Sequence, residues 1–167
     1  MFEATELAEA AAILDRCRRQ GVRLATAESC TGGLIGALLT AIPGSSDVVD
    51  RGFITYSNAA KTDLLGVSAE LLRREGAVNE AVARAMAEGA LARSQAQLVV
   101  AVTGIAGPGG GSTARPVGLV HMAAAMRGVG TLAERHIFPG DRQDVRMATV
   151  RAACRLLLTT LARSAAA

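Results

Sequence analysis

The sequence predicts an α/β fold, a three-layer α/β/α sandwich built around a mixed sheet. Two observations carry the prediction. Helical and strand patterns alternate through the first part of the chain, the order that lays helices over both faces of a largely parallel sheet. Later, the strand-like runs VGLVHMAAA and TLAERHIF are separated by the turn RGVG, so a hairpin closes the sheet. With 167 residues, no internal repeat and no linker, the chain is expected to form one domain over 1–167 with a real core.

Each element has its own signal. Residues 5–20 place Leu7, Ala11, Leu14 and Cys17 at helical spacing, with Gly21 as the stop. Residues 22–27 (VRLATA) form a short strand, ESCTGG a tight turn, and 34–42 an apolar helix ended by Pro43-Gly44. Residues 47–57 form a strand with Gly52 as its bulge. Asn58 caps a helical segment that runs to Leu65, before Gly66. Ser68 to Arg74 is another short helix. Asn79 caps a longer one, with Val82, Met86, Ala90 and Leu91 on one face. Residues 97–104 (QLVVAVTG) are an apolar strand that delivers the glycine-rich loop GIAGPGGGSTARP; strands over 117–125 and 131–138 follow. Asp141 caps the last helix, with Val145, Ala152 and Leu156 inward, and the terminal AAA is expected to fray.

Composition narrows the function. Half the residues are hydrophobic but only 2% are aromatic, so Ala, Val, Leu and Ile must build the core. Net charge is +3, with arginines scattered among nearly as many acids. No basic block and no aromatic platform argue against nucleic-acid binding and favour a basic pocket for a small anion. Three widely spaced cysteines give neither a disulfide framework nor a zinc site. His121 and His136 lack partners at metal spacing, so no metal is expected. The acidic N-terminal stretch does not read as a signal peptide, and no apolar run is long enough to span a membrane. The expectation is a cytoplasmic protein without membrane or nucleic-acid partners.

Four constellations can carry chemistry. In AESCTGG, Ser29 sits at a strand-to-helix turn, beside backbone amides that favour developing negative charge. Ser29 or Thr31 acting simply as a helix cap is the plainer alternative. In YSNAAK stand the only tyrosine and the only lysine of the chain, Tyr56 and Lys61; all seventeen other Lys-or-Arg positions are arginine. Counted from an Asn58 cap, Lys61 is the third helical residue, at the end of the helix that disfavours a cation. That field and partial burial lower a lysine pKa, whereas the nearby Asp63 opposes the shift. A guanidinium cannot shuttle protons, so a lone lysine is a candidate base; chance survival on a solvated face is the competing account. Tyr56 could pass a proton or orient the nucleophile, or simply pack at a strand end. The loop TGIAGPGGG, with Thr103, Gly104 and Gly107, is no P-loop but could present amides to a phosphate or ribose, or be a plain surface loop. Arg142 and Arg146, one turn apart, could share a phosphate or pair with nearby acids.

Together, AESCTGGLIGALLT, PGSS, YSNAAKTDLLGV, GAVNEAVARAMAEGA, TGIAGPGGG, PVGLV and the closing GDRQDVR resemble the CinA C-terminal domain family over about residues 5–160. That family includes stand-alone nicotinamide mononucleotide (NMN) amidohydrolases of the PncC type. The resemblance implies an α/β/α domain that hydrolyses the carboxamide of NMN to nicotinate mononucleotide and ammonia, without metal or organic cofactor. It implies Ser29 as nucleophile, with Lys61 and Tyr56 completing the catalytic set. It also implies a homo-oligomer, a dimer or larger. The N-terminal domain of two-domain members has no counterpart here, so only the amidohydrolase function is expected. GAVNE departs from a usual Ser before the Glu, and Arg115 stands where Lys usually precedes Pro.

From this follows an expected mechanism. Neutral Lys61 takes the Ser29 proton directly or through Tyr56, and amides near Thr31, Gly32 and Gly33 hold the oxyanion. Arg142 and the 103–111 loop meet the ribose and phosphate. Two rivals are a Cys30 nucleophile, which lacks a nearby histidine, and a non-catalytic nucleotide-binding regulatory module.

Overall fold

The computed structural model describes residues 2–165. The elements run α1 (Ala4–Gln20), β1 (Leu24–Glu28), α2 (Leu34–Thr40), β2 (Val49–Ile54), α3 (Asn58–Leu65), α4 (Ala69–Glu75), α5 (Glu80–Ala92), β3 (Leu98–Gly104), β4 (Leu119–Met126), β5 (Gly130–Ile137) and α6 (Arg142–Ala165). The strand order is β2-β1-β3-β4-β5. The first three of these strands are parallel, and β4 and β5 form the antiparallel hairpin. The expected sandwich and its mixed sheet are both present. The expected fraying of the AAA tail (165–167) does not hold at Ala165, which is the last residue of α6, and 166–167 lie outside the described residues.

Alternation along the strands divides the core. One face presents Leu24, Leu98, Val100, Val102, Val120 and Met122 to α1, α2 and α6. The opposite face is nearly all alanine: Ala25, Ala27, Ala101, Ala123 and Ala125 meet Val82, Met86 and Ala90 of α5. Methyl-sized side chains let α5 lie close to the sheet. The same economy recurs at Gly89, where a Cβ would overlap the Leu65 carbonyl oxygen. That contact docks the end of α3 onto α5 and fixes where α3 sits.

Capping follows the sequence with two corrections. Asn79 accepts from the Val82 amide, and Asp141 accepts from the Gln143 and Asp144 amides, as expected. The cap of α3, however, is Ser57, whose Oγ accepts from the Ala60 amide at 3.0 Å. Asn58 is therefore the first helical residue, and Lys61 the fourth. Nor is Gly52 a bulge: it pairs in register with Thr26, and the irregularity falls at Asp50, between the pairs Leu24–Val49 and Ala25–Arg51. A Cβ on Gly52 would stand 3.0 Å from Thr26 Oγ1, so this glycine serves close approach. Asp50 uses its irregular position to meet Arg23, Arg51 and the Gln95 amide.

Candidate active site

Parallel strands deliver their C-terminal ends to one edge of the sheet, where ligands of α/β folds gather. Here β1 ends in Glu28, and the chain turns through Ser29, Cys30, Thr31, Gly32 and Gly33 into α2. The turn needs positive φ at its last two residues (+60° at Gly32, +100° at Gly33), which glycine adopts without penalty. Ser29 is pinned to the neighbouring strand by its amide, which donates to the Val102 carbonyl.

Glu28 organises this turn. Its carboxylate is fully buried and accepts from the Thr31 hydroxyl at 2.6 Å and from the Gly33, Ile35 and Gly36 amides at 3.0, 3.1 and 2.8 Å. An anion at a helix N-terminus meets both the free amides and the positive end of the helix. Neither Ser29 nor Thr31 therefore caps α2, and the Ser29 hydroxyl is left for other work. The arrangement also corrects the expected oxyanion donors. Gly33's amide belongs to Glu28 and Gly32's donates to the Ser29 carbonyl, so of the three positions Thr31 alone has an amide without a partner among the described residues.

Lys61 is the largest side chain in the core with less than 2% exposure, at 1%. Its Nζ lies 3.0 Å from Ser29 Oγ and donates to the Thr55 carbonyl at 2.9 Å. No carboxylate pairs with it among the described residues. Burial pushes its pKa below the ordinary 10.5, because an ammonium loses its hydration there. Asp63 is exposed and is not among the groups that shift it. The one candidate counter-charge, the Cys30 thiol, is itself pushed up to about 12 by burial and stays protonated at neutral pH. That shift weighs against Cys30 as nucleophile, since the thiolate is the reactive form.

Around Ser29 and Lys61 opens a cavity of about 210 Å³, lined also by Tyr56, Asn58, Val78, Thr103, Gly104 and Arg142. Tyr56 is 59% exposed, and its hydroxyl accepts from Arg142 Nη2 at 2.7 Å rather than bonding Ser29 or Lys61. A proton route through Tyr56 is therefore absent from this arrangement. Arg142 also donates to the Gly107 carbonyl at 2.8 Å, which ties the glycine-rich loop to the start of α6. Thr103 is buried, and its hydroxyl donates to the Ala77 carbonyl, supporting the cavity wall. Arg142 and Arg146 do not act as a pair. Arg146 instead donates to the Cys30 and Thr31 carbonyls at 3.2 and 2.8 Å, clamping the nucleophile turn from α6. A second cavity of about 550 Å³ shares Arg142 and Ala106 with the first and is otherwise lined by Pro108, Val117, Gly140, Asp141 and Gln143.

Of the residues the sequence singled out, Ser29, Lys61, Tyr56, Thr103, Gly104 and Arg142 line one cavity, whereas Thr31, Gly32, Gly33 and Gly107 do not. The sequence reading missed Glu28, Thr55, Asn58 and the clamping role of Arg146. The signal for Glu28 was present: an acid directly ahead of a turn into a helix. No helix of the described residues is long and apolar enough to cross a membrane.

Comparison with known proteins bears on this geometry. The family described as the CinA C-terminal domain matches residues 6–161. A CinA-like protein of Akkermansia muciniphila is 50% identical over 147 residues, covering 87% of this chain and 36% of that protein. A CinA-like protein of Syntrophobacter fumaroxidans is 51% identical, covering 88% of this chain and 34% of its own length. The chain spans about a third of the length of these curated relatives. Among solved structures, the competence/damage inducible protein CihA of Agrobacterium tumefaciens superposes with a TM-score of 0.94 at 49% identity, covering 96% of this chain and 98% of the other. The competence damage-inducible protein A of Klebsiella pneumoniae gives 0.90 at 39% identity, over 94% and 97%.

Proposed function

This chain belongs to the CinA C-terminal domain family, and we propose that it is a serine amidohydrolase that converts the carboxamide of NMN to the carboxylate and releases ammonia. One observation carries the reading: a buried lysine without a carboxylate partner, its amine 3.0 Å from a serine hydroxyl at a strand-to-helix turn. Burying such a group costs stability, and a module that only binds nucleotides gains nothing from it. A neutral amine beside a hydroxyl is what nucleophilic catalysis without histidine requires.

The steps follow from the geometry. The lone pair of Lys61 Nζ accepts the Ser29 proton as Oγ bonds to the carboxamide carbon. The oxygen of the tetrahedral intermediate carries the charge, and the backbone amides of the turn after Ser29 that have no partner among the described residues, those of Cys30 and Thr31, are the donors available to it. The C–N bond breaks as the Lys61 ammonium returns its proton to the leaving nitrogen, and ammonia departs. Water then attacks the seryl ester, Lys61 takes the water's proton and passes it to Ser29 Oγ, and the acid leaves. No metal or organic cofactor takes part in this scheme.

The smaller cavity suits a pyridine carboxamide, being below the ~300 Å³ at which clefts for drug-sized ligands begin. The ribose and phosphate then pass Arg142 toward the larger cavity. Tyr56 stands on that side as a substrate-facing group, held by Arg142. The test is ammonia release from NMN, nicotinamide and the dinucleotide, by the parent chain and by Ser29→Ala and Lys61→Arg. Release from NMN by the parent and its loss in both variants is the expected result. Undiminished turnover in either variant would refute the reading.

A further inference from the structure

Thr55 is fully buried, and its hydroxyl has no hydrogen-bond partner among the described residues. Its backbone is fully used: the amide donates to the Glu28 carbonyl at 2.8 Å, and the carbonyl receives the Lys61 amine. An unpartnered buried hydroxyl costs stability, and valine, of nearly the same shape, would remove that cost. The orphan therefore needs an account, and its neighbour supplies one.

The Lys61 nitrogen has four substituent positions. One is the side-chain carbon, a second points to Ser29 Oγ and a third donates to the Thr55 carbonyl. The fourth, an N–H, has no acceptor among the described residues. On a neutral amine that omission is tolerable. On an ammonium only 1% exposed it is far more costly, because hydrogen bonds to charged groups are the strong ones. The Thr55 hydroxyl is four bonds from the carbonyl oxygen that already holds the amine. Rotation about Cα–Cβ moves it relative to Nζ without disturbing the backbone.

Resting on the Ser29–Lys61 reading above, we propose that Thr55 is a positioning residue whose hydroxyl accepts the remaining N–H of Lys61 once the amine has taken the Ser29 proton. It stabilises the ammonium formed during acylation and deacylation, and it sets how strong a base Lys61 is. The hydroxyl stays unpaired at rest because its partner is a charge that exists only during turnover.

The chain's single lysine permits a direct test. Protein labelled with 13C at lysine Cε gives one lysine signal, whose pH titration reports the Lys61 pKa. Thr55→Val should lower that pKa by about one further pH unit, the effect of losing one hydrogen bond to a charged group. The plateau kcat for ammonia release should fall about tenfold, and the acidic limb of the rate profile should move down by the same unit. Thr55→Ser should restore both. The melting temperature of Thr55→Val should equal or exceed that of the parent. Thr55→Ala provides the same titration should valine not be accommodated. An unchanged titration and unchanged plateau in Thr55→Val, with turnover abolished in Ser29→Ala, would overturn this inference alone. Persistent turnover in Ser29→Ala would instead overturn the catalytic reading, and the lysine titration would still decide whether Thr55 acts on Lys61.

Discussion

Replacing Lys61 by methionine keeps a long side chain in the core and deletes its titrating atom. The folded pKa of Lys61 lies below the ordinary 10.5 because burial strips the ammonium of water. Between the folded value and 10.5 the unfolded chain carries a proton at this position that the folded chain has released. Stability therefore rises with pH across that window, at up to about 1.4 kcal/mol per pH unit, and is flat on either side. The Lys61→Met chain has no such window. Removing the amine also leaves the Thr55 carbonyl without its donor, at a cost of about 1–3 kcal/mol. That offset does not vary with pH, so the slope of the stability difference isolates the lysine. The assay is denaturant unfolding of both chains in parallel from pH 6 to about 10.5, where the reference lysine titrates. The parent should gain on Lys61→Met as pH rises toward 10.5, while the variant loses about 10²–10⁴-fold in turnover, the usual worth of a general base. A stability difference that stays level up to pH 10.5 would mean an ordinary lysine, protonated at neutral pH and useless as a base.

Other consequences follow from the same geometry. Cys30→Ala should keep turnover within about tenfold of the parent, and thiol reagents should leave the enzyme active, because burial holds the thiol near 12; strong inhibition by such reagents would return the sulfur to contention. Glu28→Gln should lower stability by about 2–4 kcal/mol, read by denaturant unfolding, because an NH₂ group would replace one acceptor oxygen amid four donors. Arg142→Ala should cut kcat/KM for NMN by about 10–100-fold, as loss of a charged contact to phosphate implies. The same change should have little effect on any activity toward nicotinamide, which has no phosphate; equal losses on both substrates would remove Arg142 from that end.

The layered fold was legible because its signals are periodic and local: alternation of patterns, caps at Asn79 and Asp141, and a hairpin turn. Lys61 stood out for a chemical reason, since a chain that writes cations as arginine exposes its one exception. What was hidden depends on direction. Ser57 and Asn58 are both good caps, and the choice between them rests on where β2 releases the chain, which composition does not encode. Glu28 appeared as one more acid in a turn, because nothing local says that its carboxylate points under α2 rather than to water. Arg142 and Arg146 share a helical face on paper. Yet the chain brings Tyr56 and Gly107 to the first, and the Cys30 and Thr31 carbonyls to the second, from 35 or more residues away. Thr55 gave no signal at all, since an unpaired hydroxyl can be seen only once its surroundings are assembled.

The alanine face under α5 has a thermal consequence. Alanine has no side-chain rotamers to redistribute, so on the sheet side of this layer warming has few side chains to loosen, and helix and sheet part mainly as bodies. Because the Leu65 carbonyl rests on Gly89, α3 moves with α5 and carries Lys61 with it. Ser29, by contrast, belongs to the sheet through its hydrogen bond to Val102. The distance between base and nucleophile thus depends on how closely α5 lies against the alanine face of the sheet.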